Sequence, residues 1–192
     1  MNSPDRPSTR QRLASELNRQ LVRKIARQEL PQANKLAGYL SFSGILLEKI
    51  LALQKTQTRR PVKPAGLSLQ QAALLPCHIG QIHSQVGLLE RWAYDEQGHV
   101  VHAHGSDRKL RWNAGTFMPR HACRYSLLLA RVEAQYLSDI SIDDARAEGF
   151  GSKEEFLAAW DQFYGSGEFA SNLNPVIWAI AFELSSNAAA SH

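Results

Sequence analysis

The chain has 192 residues, of which 44% are hydrophobic and 21% are charged, which is enough for one domain with a core and an appendage. No apolar stretch approaches the roughly 20 residues of a membrane-spanning helix, and the polar start lacks the apolar core of a secretory signal. We therefore expect a cytoplasmic protein with no membrane partner. The net charge of +4 is uneven, because residues 1–36 hold eight lysines and arginines against three acids.

The basic N-terminal segment has the pattern of a helix. Leu13, Leu17, Leu21 and Ile25 recur every four residues, and Pro31 ends the pattern. We predict a largely helical basic extension over residues 1–36, a domain over residues 37–185 and a tail over residues 186–192. The extension has three alternatives: it docks on the domain, forms a homodimer through residues 9–30, or lies along nucleic acid. Docking is the commonest outcome for such a helix.

The rest of the chain alternates short strands with a few capped helices. A strand at residues 40–42 precedes a helix that starts at Ser43-Gly44 and buries Leu46, Leu47, Ile50, Leu51 and Leu53. Further helices are predicted from residue 68 to 75 and after the capping residues Ser141 and Ser152. Strands are predicted at residues 88–94, 100–103, 124–132 and 176–184, the first two joined by a turn at residues 95–98. The pattern predicts an α+β fold with a small barrel or strongly curved sheet and flanking helices.

A dense polar segment follows the first helix of the domain. Within six residues it offers Lys55, Thr56, Thr58, Arg59 and Arg60. A lysine serves as base or charge partner, a threonine as nucleophile, and arginines as anion clamps. The alternative is an exposed cationic loop whose Thr58 caps a strand. Residues three apart face opposite sides of a regular strand, so only a turn after the helix brings Lys55 and Thr58 into one cleft.

Four ordered segments resemble the phage and prophage branch of the ASCH family. Residues 50–61 are similar to its ILxGxKTQTRRP signature, residues 117–124 to HMPRWASR, residues 137–150 to LQDISEEDARAEG, and residues 174–183 to NPWVWVIEF. The family's GDxLWVRE strand corresponds either to residues 80–85 or, keeping an acid at Glu90, to residues 87–92. His121 stands where the family has the PRW tryptophan.

The resemblance implies a PUA-like β-barrel that binds RNA. Characterised small members hydrolyse the acetyl amide of N4-acetylcytidine with a threonine, a lysine and a glutamate. These roles carry over to Thr58 as nucleophile, Lys55 as base and Glu148 as proton relay. Other members are linked to RNA cleavage.

Binding of RNA or of a modified nucleotide in a basic cleft is the first functional hypothesis. The phosphate contacts would come from Arg59, Arg60, Lys63, Arg120 and Arg124. Trp92 is either a stacking face for an unpaired base or a core residue. The segment 108–112, which ends at Trp112, is a second basic cluster for the rim of the cleft.

Two other classes of function remain open. One is an enzyme acting from the same cleft, either an N4-acetylcytidine amidohydrolase or a ribonuclease. The other is a protein-interaction module that dimerises through the N-terminal helix. No cofactor and no metal site are expected, since the histidines, including His102 and His104, lack completing carboxylates or cysteines at ligand spacing. Cys77 and Cys123 are expected to be reduced, buried thiols.

Overall fold

The computed structural model describes residues 36–186, and this part of the chain has the predicted α+β class. The helices are α1 (Gly44–Leu51), α2 (Leu69–Ala73), α3 (Ile142–Ala147) and α4 (Lys153–Tyr164). The strands are β1 (Gly38–Ser41), β2 (Gln57–Pro61), β3 (Gln85–Leu89), β4 (Trp92–Tyr94), β5 (Val100–His102), β6 (Tyr125–Tyr136) and β7 (Val176–Ser186). The predicted helix of the basic extension and its dimer contact lie outside the described residues.

Five strands form one curled sheet in the order β1-β3-β6-β7-β2, which resembles half of a barrel. β1 is parallel to β3, and the other neighbours are antiparallel. β4 and β5 form a separate hairpin around the predicted turn. The sheet is thus compatible with a small barrel-like fold, and its order leaves β2, which carries the polar segment, at one edge.

Strand β7 is apolar on both sides because each face of the sheet is covered. Trp178, Ile180 and Phe182 pack in the larger core cluster, which also contains residues of α1, β1, β3 and β6. Ile177 and Ala179 pack on the opposite face, in a cluster with residues of α3 and α4. This two-sided burial explains the continuous apolar run that the sequence shows.

One predicted strand is divided in two. Residues 88–94 do not form a single strand, because β3 ends at Leu89 and β4 starts at Trp92 in the other sheet. The chain leaves the main sheet where the side chain of Glu90 is buried against Arg124. Of the two segments compared with the family's GDxLWVRE strand, residues 87–92 contain the end of β3, Glu90 and the start of β4, whereas residues 80–84 precede β3.

The end of α1 also differs from the prediction. Leu53 was expected on the buried side of the helix, but it is 68% exposed and has a φ of 59°. The N–H of Leu53 donates to Ile50 O at 3.0 Å, and that of Gln54 to Lys49 O at 2.8 Å. This Schellman-type ending satisfies the last carbonyls of α1 and turns the chain toward β2.

The two predicted N-caps are present. Ser141 and Asp144 form the reciprocal capping box of α3. Ser152 caps α4 by accepting from the N–H of Glu155 at 3.2 Å. The Glu155 carboxylate accepts from Gly151 N–H, so Ser152 and Glu155 do not form a reciprocal capping box.

β6 is longer than predicted and is interrupted by a bulge between Leu129 and Arg131. Among the described residues, no helix combines the length and apolarity needed to cross a bilayer.

Candidate functional site

A cavity of about 410 Å³ lies where β2, the segment after β1, the end of α3 and one side of α4 meet. Its polar wall includes all three residues that the resemblance marks as catalytic, Lys55, Thr58 and Glu148. Its other wall is aromatic and is made by Phe42, Phe150, Phe156, Trp160, Phe163 and Tyr164. The fold therefore brings together residues that are 93 positions apart in the sequence.

Lys55 is directed inward by the turn that follows α1. Its N–H donates to Lys49 O at 3.0 Å, and the next residue, Thr56, donates to Ala147 O at 2.8 Å. The latter bond ties the polar segment to the end of α3, immediately before Glu148. Together the two backbone bonds fix the positions from which the Lys55 and Glu148 side chains meet.

The Lys55 ammonium has an oxygen acceptor for each of its three N–H groups. Nζ lies 2.7 Å from Glu148 Oε2, 2.8 Å from Glu148 O and 2.6 Å from Gln57 O. The side chains of Lys55 and Glu148 are only 1% and 3% exposed. Both charges are thus paired and hydrogen-bonded, which is the condition under which buried charges are tolerated.

Arg59 holds the other side of the Glu148 carboxylate. Its Nη1 lies 3.2 Å from Glu148 Oε1 and 3.3 Å from Gln57 Oε1, and its Nη2 lies 3.3 Å from Asp144 Oδ2. The guanidinium also sits 5.8 Å from the ring centroid of Phe156. Glu148 is therefore clamped between two buried cations, and Arg59 acts on the site by positioning it.

Thr58 and Arg60 lie on the opposite side of β2 from Arg59. Arg60 Nη1 donates to Thr58 Oγ1 at 2.7 Å and to Arg59 O at 2.9 Å, and its guanidinium lies 5.2 Å from the ring centroid of Phe42. An arginine only donates, so the Thr58 proton is not used in this bond and the cation would stabilise negative charge on Oγ1. Among the described residues, no hydrogen bond joins Thr58 Oγ1 to Lys55 or Glu148.

The charges of the site are unevenly exposed. Lys55, Arg59 and Glu148 are buried, whereas Arg60 is only half-buried. The carboxylates of Glu148 and Asp144 balance Lys55 and Arg59, so Arg60 supplies the remaining positive charge beside the cavity. This arrangement favours an electron-rich or anionic group near Arg60 and Thr58.

The pKa of Lys55 is shifted below its ordinary value. Burial is the main cause, the carboxylate of Glu148 opposes it, and the positive charges of Arg60 and Arg59 add to the lowering. A lowered pKa increases the neutral amine fraction that a general base requires.

The pKa of Asp144 is also lowered, although burial alone would raise it. Hydrogen bonds from Ser141 and the positive charge of Arg59 outweigh burial and stabilise the ionised carboxylate. Asp144 thus has two roles: it completes the capping box of α3, and it pairs with Arg59.

No family model matches the chain, and no curated protein matches it. One solved structure that matches is the crystal structure of protein EF3133 from Enterococcus faecalis V583, described with the family model DUF984. It is 13% identical, with a TM-score of 0.45, over 89% of this chain and 92% of that chain. A similarity of this size supports no statement on family or function.

Two of the predicted RNA contacts are engaged elsewhere. Arg124 forms a bidentate salt bridge with Glu90, in which Nη2 lies 2.6 Å from Oε1 and Nε lies 3.0 Å from Oε2. Trp92 is 7% exposed and packs with Leu89, Met118 and Cys123, so of its two alternatives the structure shows the core residue. Neither residue lines the cavity.

The other two predicted contacts, Arg120 and Lys63, are exposed and do not line the cavity. Arg120 lies over Tyr39, with 4.1 Å between its guanidinium carbon and the ring centroid. Lys63 follows β2, and its charge contributes to lowering the pKa of His78, for which burial is the main cause. Arg59 and Arg60 are thus the two predicted phosphate contacts that reach the cavity.

The sequence reasoning missed the aromatic wall. The sequence shows Phe156, Trp160 and Phe163 as an aromatic stripe at helical spacing after Ser152, and this stripe was given no part in the site, yet Phe163 is 71% exposed and lines the cavity. The available signal was the composition of this stripe, which has three large aromatic side chains and a fourth at Tyr164.

His102 is one of the histidines for which the sequence predicted no metal site. Its Nε2 lies 2.8 Å from Ala122 O. Within the described range, no three His, Cys, Asp or Glu side chains are grouped to hold a metal.

Proposed function

We propose that this chain is an ASCH-family domain with a PUA-like fold, and that its cavity binds a cytidine-type nucleoside, free or unpaired in RNA. The single observation that carries the proposal is the pairing of an aromatic wall on α4 with the polar wall of Thr58, Arg60 and Glu148. The four motif resemblances, in chain order, support the family and the ligand class.

The chemistry of the two walls suits a nucleoside. Aromatic side chains such as Phe163 and Tyr164 offer stacking faces for a base, and stacking tolerates different bases. Arg60 provides donors for the carbonyl oxygen of a pyrimidine. A volume of about 410 Å³ lies within the range of small-molecule pockets.

The distribution of the arginines favours one bound nucleoside over a long RNA track. Arg124 is neutralised by Glu90, and Arg120 lies against Tyr39 rather than at the cavity. A protein that follows an RNA backbone needs several cations along its path. Here the cationic groups that line the cavity are those of the polar segment.

Isothermal titration of the full chain with cytidine and N4-acetylcytidine tests this proposal. We expect saturable binding of both, weakened about tenfold or more by Arg60→Ala because a charge-assisted donor is removed. Arg131→Ala is the matched control, since Arg131 is 48% exposed and pairs with Glu133 outside the cavity. Absence of binding at millimolar ligand, or equal weakening by both variants, would contradict the proposal.

A second candidate function is hydrolysis of the N4-acetyl amide. The observation that favours it is that Thr58 lies beside the Arg60 cation while Lys55, with its lowered pKa, meets Glu148 in the same cavity. The three residues to which the resemblance gives catalytic roles thus line one cavity. Thr58 is only 1% exposed and has no hydrogen bond to Lys55, so binding remains the first proposal.

The reaction balances as a two-step acyl transfer. Thr58 Oγ1 passes its proton to neutral Lys55 and attacks the acetyl carbon, and the Arg60 cation beside Oγ1 favours loss of that proton. The C–N bond breaks, and the proton returns through Glu148 to the exocyclic amine of cytidine. Water then hydrolyses the threonine ester, releases acetate and restores the hydroxyl.

Acetate release from N4-acetylcytidine is the test of this second function. We expect turnover by the full chain, its loss in Thr58→Ala, and its retention in Thr56→Ala. Thr56 is the matched control because it belongs to the same segment but is exposed. Turnover that survives Thr58→Ala, or no turnover by a chain that binds the ligand, would overturn the mechanism and leave the binding proposal standing.

A further inference from the structure

A second cavity of about 260 Å³ adjoins the first one. Phe42 lines both cavities, Ser43 lines the first and Gly44 lines the second. The two spaces are therefore separated by one aromatic ring and by the start of α1. The wall of the second cavity also includes Arg91 and Trp112.

We propose that this second cavity holds the nucleotide adjacent to the bound nucleoside in a single-stranded RNA. The inference rests on the proposed function of the first cavity and makes its ligand a segment of at least two nucleotides. A strand that fills both spaces passes the edge of Phe42 beside Ser43 and Gly44.

Trp112 provides the stacking face of the second cavity. It is half-buried, and its backbone position is fixed because the neighbouring Asn113 exchanges two hydrogen bonds with Trp92, at 2.7 and 3.3 Å. A partly exposed indole on an anchored backbone is pre-organised for stacking on an unpaired base. The same segment carries the exposed cations Lys109 and Arg111.

Arg91 provides the cation of the second cavity. Its side chain is exposed and, within residues 36–186, forms no ion pair, in contrast to Arg124. Its carbonyl accepts from Ala103 N–H at 2.8 Å, which fixes the backbone at this point. An unpaired guanidinium at the rim suits a phosphate oxygen.

Glu48 is the acidic residue in the wall of this cavity. Its carboxylate accepts hydrogen bonds, so it suits the exocyclic amino group of a base rather than a phosphate. The first turn of α1, which starts between the two cavities, carries no acidic residue. In the second cavity Trp112 thus faces the plane of the base, Glu48 its amino edge, and Arg91 the phosphate of the backbone.

The test compares cytidine with the dinucleotides ApC and CpA, whose adenine carries an exocyclic amino group for Glu48, by isothermal titration of the full chain at fixed salt. We expect one dinucleotide to bind at least tenfold more tightly than cytidine, because one more base stacks and one phosphate is added. Trp112→Ala removes this gain and leaves cytidine affinity unchanged, whereas Trp112→Phe retains most of it. Arg91→Ala reduces the salt dependence of dinucleotide binding.

The outcomes separate the two proposals. Cytidine binding with no dinucleotide gain, or a gain that Trp112→Ala leaves intact, overturns the second subsite alone. If neither cytidine nor a dinucleotide binds, the function of the first cavity fails and the subsite fails with it. Arg131→Ala is the control for Arg91→Ala, since it removes an exposed arginine outside both cavities.

Discussion

Lys55 Nζ lies 2.7 Å from Glu148 Oε2, and the carboxylate's other oxygen lies 3.2 Å from Arg59 Nη1. A carboxylate that is shared by two buried cations fixes the geometry of the cavity wall. Substitution of any one of the three residues should therefore destabilise the fold, because the remaining charged groups stay buried without their partner.

Removal of the shared carboxylate should destabilise the domain strongly. We expect Glu148→Ala to lower the free energy of unfolding by about 3–5 kcal/mol, because it leaves the buried Lys55 ammonium without its counter-charge. The measurement is urea denaturation at neutral pH. Asp143→Ala, which removes a 92% exposed carboxylate paired with Arg146, should leave stability nearly unchanged. Comparable losses in the two variants would show that the buried pair is not what stabilises this region.

Asp144 should give stability a specific pH dependence. Its pKa in the folded protein is lowered from 3.8, so the ionised form is favoured by folding. The stability that it contributes is complete above the unfolded value and is lost as pH falls through the lowered folded value. The stability difference between the wild type and Asp144→Asn should therefore be constant near pH 6 and shrink below about pH 3.8. A difference that grows on acidification would contradict the direction of the shift.

Arg59 and Arg60 should have different roles although they are neighbours. Arg59 is buried and bridges Glu148 and Asp144, so Arg59→Ala should cost about 3–5 kcal/mol of stability. Arg60 is half-buried and faces Thr58, so Arg60→Ala should weaken nucleoside binding with a smaller loss of stability. Thermal unfolding and titration of both variants give the two readouts. Equal stability losses would mean that Arg60 also holds the fold together.

Phe163 should contribute to binding rather than to folding. It is 71% exposed and lines the cavity, so Phe163→Ala should reduce nucleoside affinity by about fivefold or more while the unfolding transition stays in place. Phe117→Ala is the control, because Phe117 is 77% exposed and does not line the cavity. Identical affinities of these two variants would remove the aromatic wall from the binding account.

The local signals in the sequence predicted the elements well. Capping residues such as Ser141 and Ser152 act within one turn of helix, so their consequences can be read directly from neighbouring residues. The division between β3 and β4 could not be read this way. It depends on Glu90 meeting Arg124, a long-range pair that periodicity does not contain.

The candidate site was only partly predictable for a similar reason. The resemblance selected Lys55, Thr58 and Glu148, and the structure brings these three into one cavity. It did not select Phe42 or the residues of α4, because a helical aromatic stripe has the same spacing in a core and in a cavity wall. Leu53 shows the converse, since an apolar residue at the end of a helical pattern became exposed where the chain turns.

The most direct test of the central claim is a ¹⁵N-edited NMR titration of the full chain with N4-acetylcytidine. The account predicts saturable shifts of backbone amides at residues 58–60 and 156–164, the two walls of the cavity, with little change in the hairpin of β4 and β5. No saturable shift, or shifts confined to that hairpin, would contradict the claim that this cavity binds the nucleoside.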